Sequence, residues 1–437
     1  MLELFYYIYF MNIEEIYACF LQSSGITTDT RKITKDSMFF ALKGDNFNGN
    51  TFAEKAIKNG ARFAIVDEKE FATTPNIILV NNVLRTLQQL ATYHRVKLNI
   101  PVIALTGSNG KTTTKELINA ILSKKYKTSA TAGNFNNHIG VPLTLLKFTK
   151  DTQIGIIEMG ANHPKEIELL SNIALPDFGL ITNFGKAHLE GFGSIEGVIK
   201  AKSELLEHLK QHHKTIFVNL NDEIQVQQVG NYDSTFTFGK DQSNFNDISL
   251  NESHPLVSLN YNNNIIKSHL TGSYNYNNLS VAIAIGTYFK VSPSAIKEAI
   301  ETYIPSNNRS QTIQAKSNTI ILDAYNANPT SMIAALDNFI TYKAQNKIIF
   351  LGDMFELGST AEMEHQNIIN YIETHYKGKA HVVGAHFYKT NINKINITRH
   401  NSFKELKETL TGKNITDSLI LIKGSRGMAL ERILDLL

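Results

Sequence analysis

The chain has 437 residues and a mass of 48.9 kDa, which at roughly 100 to 200 residues per domain implies about three domains and excludes a single small module. With 42% apolar and 19% charged residues it has the composition of a globular protein and not of a disordered or collagenous one. Lys+Arg (43) and Asp+Glu (40) almost cancel to +3, so no broad basic field for nucleic acid is implied and small ligands are the expected partners.

The opening run MLELFYYIYF is apolar for only about ten residues, against the roughly 20 needed to span a bilayer, and it lacks the basic flank and small-residue cleavage site of a signal peptide. No membrane span is expected, and residues 1–10 read as a misassigned start or a short extra strand or helix. Met11 opens an amphipathic helix pattern, MNIEEIYACFLQ. Cys19, the single cysteine, cannot form an intramolecular disulfide or a cysteine metal cage, and this fits a reducing cytoplasm. Its expected role is a small buried hydrophobe.

Residues up to about 100 mix short strands (MFFAL, ARFAIV, NIILV) with helices such as FAEKAIKNG, where Gly60 suits a helix stop. At Pro101 the pattern changes. PVIALTG is a continuous apolar run that feeds a helix from near Thr112, and IGIIEMG, FGLITNFG and TIFVNL repeat the theme, which predicts a doubly wound sheet from 101 to about 300. Pro293, Pro305 and the polar SNNRS stretch bracket an expected hinge. From about Gln311, TIILDAY, KIIFLGDM, AHVVG and LILIKGS alternate with helices, the last running to Leu437, as in a smaller Rossmann-like domain. The expected domains are 1–100, 101–309 and 310–437, all α/β.

The chemistry centres on Thr106, Gly107, Ser108, Asn109, Gly110, Lys111, Thr112 and Thr113, between a strand and a helix. Backbone N–H groups in such a loop cradle phosphate oxygens, Lys111 supplies a point charge, and the Thr112 hydroxyl suits Mg²⁺. The full P-loop pattern places its first glycine where Leu105 stands, so the literal match fails and the strand–loop–helix context carries the reading. Glu158 ends a second buried run, where a carboxylate suits Mg²⁺. His188 ends a third; a lone histidine is more often structural than a ligand. Spacing alone places Lys200 and Lys202 on a solvated helix face, and leaves Asp323 as no more than the end of a buried strand.

TGSNGKTT, GNFNNHIGVPLTLL, EMGANHPKEI, NFGKAHLEGFGS, AKSE, GSYNYNN, LDAYNANPTSM, GDMFELG and KGSR occur in the order found in Mur ligases, and TTDTRKITKDSMFFALKGDNFNGNTFAEKAIKNGA resembles that family's uridine-nucleotide domain. The resemblance covers nearly the whole chain from Met11. YNANP and GDMFELG separate members that add D-Ala-D-Ala to a UDP-N-acetylmuramoyl tripeptide from those adding earlier amino acids. The resemblance implies a three-domain ATP-dependent carboxylate–amine ligase that makes peptidoglycan precursor in the cytoplasm through an acyl phosphate, with a monomer expected. It implies a central P-loop ATPase-type domain between an N-terminal UDP-binding domain and a C-terminal Rossmann-like domain.

It also implies roles for residues. Lys111, His188 and Lys202 would be catalytic. Gly107, Ser108, Asn109, Gly110, Lys111, Thr112 and Thr113 would bind ATP phosphates. Asn275 and Asn278 would lie near the adenine, with Tyr274 standing where histidine is commoner. Arg309 would contact phosphate and Asp323 the ribose hydroxyls, with Tyr325 and Asn326 assisting. Thr112, Glu158, His188 and a CO₂-carbamylated Lys202 would hold two Mg²⁺. At the UDP end, Asp29, Thr30, Arg31, Lys43 and Gly44 match the family motif; Asn50 replaces a more usual histidine and is unassigned. Asn134, Asn136 and Asn137 would meet the muramoyl peptide. Asp353, Glu356, Lys423 and Arg426 are candidates for the acceptor. A folylpolyglutamate synthetase would share the loop but lack the UDP domain and YNANP. A GTPase or kinase would leave the third domain unexplained, and no NKxD guanine motif is present.

Overall fold

Asn12 opens the first helix, α1 (Ile13–Leu21), with a capping box: its side chain accepts from the Glu15 N–H at 3.0 Å and the Glu15 carboxylate takes the Asn12 N–H at 2.8 Å. The helix thus begins where the pattern predicts. The computed structural model describes residues 11–240, 243–245, 247–306 and 308–437; the run 1–10, expected as a misassigned start or an extra element, lies outside them. Cys19 is only half-buried, a correction to the buried hydrophobe expected of it: it lies on a helix whose fully buried positions are Ile16 and Phe20.

The chain forms two compact units. One takes in the chain up to Ala104, Lys127–Met159 and Glu168–Phe178; the other takes in Leu105–Tyr126, Gly160–Ile167 and Gly179–Leu437. After α1 come β1 (Ile26–Thr27), β2 (Met38–Phe40), the hairpin of β3 (Lys43–Gly44) and β4 (Phe47–Asn48), α2 (Ala53–Lys58), β5 (Phe63–Val66), β6 (Ile77–Leu79) and α3 (Val83–Leu98). Strands β1, β2, β5 and β6 pair in that order, all parallel. Phe39, Ala64, Val66 and Ile77 bury against Ala53 and Ala56 of α2. Gly60, at φ +104°, takes the left-handed position just past that helix, where a side chain would be strained.

Next come β7 (Val102–Thr106), α4 (Lys111–Leu122), β8 (Thr128–Ala130), α5 (Gly140–Leu145), β9 (Ile154–Glu158), α6 (Glu166–Ala174), β10 (Phe178–Ile181), α7 (Leu189–Phe192), α8 (Ile195–Gln211), β11 (Thr215–Asn219), α9 (Glu223–Val229) and β12 (Thr235–Phe238). The sheet order is β12-β11-β10-β7-β9-β8. Every residue of β7 and β9 is buried, as expected of strands covered on both faces. Chain order reverses about β7, so the TGSNGKTT loop that leaves it lies at the switch point where such sheets bind ligands.

A separate antiparallel sheet of β13 (Ile248–Glu252), β14 (Ser258–Tyr261) and β15 (Asn264–Lys267) was not anticipated; its second turn uses Asn262 and Asn263, both at positive φ. Helices α10 (Tyr274–Tyr288) and α11 (Pro293–Thr302) follow. Pro293 is the first residue of α11, where its missing N–H is harmless.

The last sheet contains β16 (Gln311–Ala315), β17 (Asn318–Asp323), β18 (Asn346–Gly352), β19 (Lys379–Val383), β20 (Ile397–His400) and β21 (Ser418–Lys423), ordered β16-β17-β21-β18-β19-β20. Only β16 runs antiparallel to its neighbour. Its helices are α12 (Pro329–Thr341), α13 (Ala361–His375), the short α14 (Ala385–Tyr388) and α15 (Phe403–Leu410). The predicted final α-helix is instead a 3-10 stretch, Leu430–Leu436. Leu430 and Ile433, three apart, share one face at that period and both enter the core beneath the sheet.

Candidate active site

The loop after β7 is tight for steric reasons. Gly107 has φ +150°, and a Cβ there would fall 1.9 Å from Thr182 Oγ1; Gly110 has φ +79°, and a Cβ there would fall 2.5 Å from Asn278 Oδ1. Ser108 donates to the Gly185 carbonyl and accepts its N–H, both at 2.9 Å, tying the loop to the segment after β10. Gly110 is the N-cap of α4 and offers no side chain to the first-turn N–H groups. Lys111 Nζ curls back onto the Gly107 carbonyl at 2.7 Å, and the side chain of Thr112 is buried. A glycine-capped helix N-terminus with one ammonium beside it is a chemical match for polyphosphate.

Lys202 on α8 does not lie on a solvated face. It is 1% exposed, its ammonium sits 5.5 Å from the Phe192 ring centroid, and burial plus the charge of Lys111 lower its pKa well below the ordinary lysine value. Lys200, two positions earlier, is exposed. His188 occupies a left-handed backbone position, φ +54°, and its Nδ1 pairs with Glu356 Oε2. That pairing depresses the Glu356 carboxyl below the usual carboxylate range and points Nε2 away from it, the arrangement of a metal-binding imidazole oriented by a carboxylate.

In the other unit Glu158 ends β9 at 1% exposure and accepts from Asn136 Nδ2 at 2.9 Å. Asn137 caps the Gly140 N–H at 2.9 Å and the Ile139 N–H at 3.2 Å; the Asn134 carbonyl takes the Asn136 N–H at 2.8 Å. Among the described residues no three His, Cys, Asp or Glu side chains gather into a cage. Mg²⁺ needs none, since it takes one or two carboxylates with phosphate and water oxygens. The Glu158 carboxylate is a donor of the right hardness.

Asn275 and Asn278 are nine-tenths or more buried and hydrogen-bond to each other at 2.8 Å; Asn278 also accepts from Thr114 Oγ1, and Asn275 donates to the Thr271 carbonyl. They brace α4 behind the loop. The Tyr274 hydroxyl lies 3.1 Å from Ser310 Oγ. Arg309 stacks 3.8 Å from the Tyr325 ring centroid, and its Nε is buried with no hydrogen-bond partner among the described residues. Asp323 and Lys423 pair in register at the ends of β17 and β21 and form an ion pair of 2.6 Å. Asn326 is exposed, its side chain capping the Ala327 N–H.

At the predicted UDP end, Asp29 and Arg31 make a bidentate pair, both contacts 2.9 Å, that lowers Asp29 to about 2. Thr30 begins the short helical turn that Asp29 caps. Lys43, next to exposed Gly44, is engaged by Asp67 at 2.9 Å and Glu68 at 2.8 Å. Asn50 is fully buried between Asn48 and Asp67, a structural use for the residue left unassigned.

Three family descriptions match in succession: Mur ligase family, catalytic domain, over residues 22–104; Mur ligase middle domain over 105–286; and Mur ligase, glutamate ligase domain, over 308–426. The chain belongs to the Mur ligase family. It is 36% identical to the UDP-N-acetylmuramoyl-tripeptide–D-alanyl-D-alanine ligase of Bacillus subtilis over 94% of this chain and 92% of that one. The Escherichia coli enzyme of the same name is 33% identical over 94% and 92%. MurF from Acinetobacter baumannii superposes with a TM-score of 0.83 at 29% identity, covering 98% and 99% of the two chains. The three-domain Mur ligase fold expected from the motifs is therefore the fold of this chain.

Within this Mur ligase, one acceptor candidate is corrected. Asp353 is 2% exposed and accepts the His386 and Phe387 N–H groups at 2.9 Å each, so it anchors α14 and presents no free carboxylate to an acceptor. Lys423 pairs with Asp323 at 2.6 Å, and Arg426 reaches Glu431 at 3.4 Å. Sequence reasoning did not single out Thr182, Asn183, Lys186 and Asn328, whose uses depend on partners distant in the chain.

Proposed function

We propose that this Mur ligase joins D-Ala-D-Ala to the terminal carboxylate of a UDP-N-acetylmuramoyl tripeptide using ATP, yielding the pentapeptide precursor of peptidoglycan. The observation that carries the reading is the glycine-constrained phosphate loop at the sheet's switch point, in a chain that matches enzymes of this name along nearly its full length. The tripeptide carboxylate attacks the γ-phosphorus and the bond to ADP breaks. The amine of D-Ala-D-Ala then attacks the acyl carbon, and phosphate leaves carrying one oxygen of the original carboxylate. Activation is needed because a free carboxylate is a poor electrophile.

The loop N–H groups and Lys111 hold the triphosphate and offset the charge that repels the incoming carboxylate. Two Mg²⁺ ions, when bound, would neutralise the remaining phosphate charge; Thr112, Glu158, His188 and Lys202 are the residues assigned to them. Burial and the neighbouring Lys111 favour a neutral Lys202 amine, the form that reacts with CO₂ to give a carbamate. In this reading Arg309 with its unpartnered Nε meets phosphate, Asp323 meets the ribose, and Asn275 and Asn278 shape the adenine end from behind the loop. Asp29, Thr30, Arg31, Lys43 and Gly44 take the uridine diphosphate, and Asn134, Asn136 and Asn137 the peptide.

The domain division in this reading is 1–100, 101–309 and 310–437, and the enzyme acts as a cytoplasmic monomer; no described helix is long and apolar enough to cross a membrane. The test is product analysis with ATP, a UDP-muramoyl tripeptide and competing acceptors. UDP-pentapeptide should form with D-Ala-D-Ala, and preference for D-Glu, or for a folate with glutamate, would overturn the assignment.

A further inference from the structure

The phosphate loop is held from two domains. Asn109, at its centre, has its N–H on Asn183 Oδ1 at 3.0 Å and its carbonyl accepting from Thr182 Oγ1 and Asn183 Nδ2, all in the central domain. Its side-chain Oδ1 accepts instead from Nδ2 of Asn328, 219 positions later, at 2.8 Å. Asn328 is 6% exposed, and its amide orientation is fixed by its other bonds. As N-cap of α12 its Oδ1 takes the Ser331 N–H at 2.9 Å, while its own N–H goes to Ser331 Oγ at 3.0 Å. The NH₂ group is therefore the only part of that amide available to Asn109. Alongside, the Lys186 N–H donates to Thr330 Oγ1 at 3.0 Å and Lys186 Nζ pairs with buried Glu364 at 2.7 Å. The start of α12 thus meets the loop at Asn109 and the segment after β10 at Lys186, where α13 adds the Glu364 contact.

We propose that Asn328 is a positioning residue for nucleotide binding: through Asn109 it gives the phosphate loop its ATP-binding shape once the C-terminal domain is seated. The proposal rests on the reading of this loop as the ATP site. It assigns Asn328 two separable tasks, capping α12 with Oδ1 and bracing Asn109 with Nδ2.

Asn328→Ser separates them, because serine caps a helix as well as asparagine and cannot reach Asn109. The variant should keep its thermal midpoint within about 2 to 4 °C. It should also keep its affinity for UDP-muramoyl tripeptide, while binding a non-hydrolysable ATP analogue with Mg²⁺ about ten-fold more weakly by calorimetry. Asn109→Ala should weaken the analogue by a similar factor and the double variant no further, since each removes the same hydrogen bond. Asn328→Thr, a second cap-preserving change, should repeat the result if the serine variant folds poorly. Wild-type nucleotide affinity in both cap-preserving variants, or losses that add in full in the double variant, would overturn the proposal. Because binding is read and not turnover, a chain that binds nucleotide yet forms no amide would refute the ligase reading while leaving this coupling measurable.

Discussion

Lys202 is the residue where sequence spacing and structure diverge most. Helical spacing puts it on the solvated face with Lys200, yet Lys202 is buried beside Phe192 and under the influence of Lys111, while Lys200 is exposed. A carbamate at Lys202 would be a carboxylate-like oxygen ligand. Lys202→Ala should then lose most activity and regain a measurable part in added acetate or formate, but not in methylamine at matched ionic strength. Rescue by the amine alone would mean an ammonium role, and unchanged activity would mean that Lys202 serves neither role; Lys200→Ala is the control. Lys111→Ala should lose about 100-fold or more in turnover, since one preorganised charge on a transferring phosphoryl group contributes roughly 3 to 4 kcal/mol; near-normal turnover would remove the loop from the mechanism. Charged residues in ordered motifs were legible as site candidates. Thr182, Asn183 and Asn328, which brace the loop from elsewhere in the chain, were not, because their roles depend on partners such as the Asn109–Asn328 pair, which no local pattern encodes.

At the scale of elements, fully buried strands were easy to read: β7 and β9 are apolar runs that end on Thr106 and Glu158. β16 and β20, with alternating or half-exposed positions, and the β14–β15 hairpin at its Asn262–Asn263 turn, carried signals too short to stand out. Elements are also joined by single polar side chains. Arg95 of α3 is 6% exposed and donates to the Ala174 and Leu175 carbonyls at the end of α6 and to Asp177 at 2.6 Å, whose carboxylate also takes the Val102 N–H that opens β7. Removing it takes the guanidinium from the Asp177 carboxylate and one donor from each of the two carbonyls. Arg95→Ala should cost about 3 kcal/mol of stability, read as a lower urea midpoint with an unchanged slope; a midpoint within error of wild type would show that water replaces those bonds without loss.

For the whole molecule, the composition predicted three domains and small ligands, and the ordered motifs predicted the fold; what neither could supply was how buried histidines would titrate. Burial pushes His208 and His381 down to about 4. Between there and about 6.5 the unfolded chain binds protons that the folded chain refuses, so stability is full above that window and falls as pH drops through it, by up to about 1.4 kcal/mol per pH unit for each group. The thermal midpoint should be lower at pH 5 than at pH 7, and His208→Leu should flatten the difference; an equal slope in that variant would mean His208 does not contribute. The central claim, that this chain makes an amide bond by way of an acyl phosphate, is tested most directly by supplying tripeptide substrate labelled with ¹⁸O in its terminal carboxylate, together with ATP, Mg²⁺ and D-Ala-D-Ala. The account predicts one labelled oxygen in the phosphate released for each UDP-pentapeptide formed, and no phosphate beyond background when D-Ala-D-Ala is omitted. Unlabelled phosphate accompanying pentapeptide, or release of phosphate without either partner substrate, would contradict it.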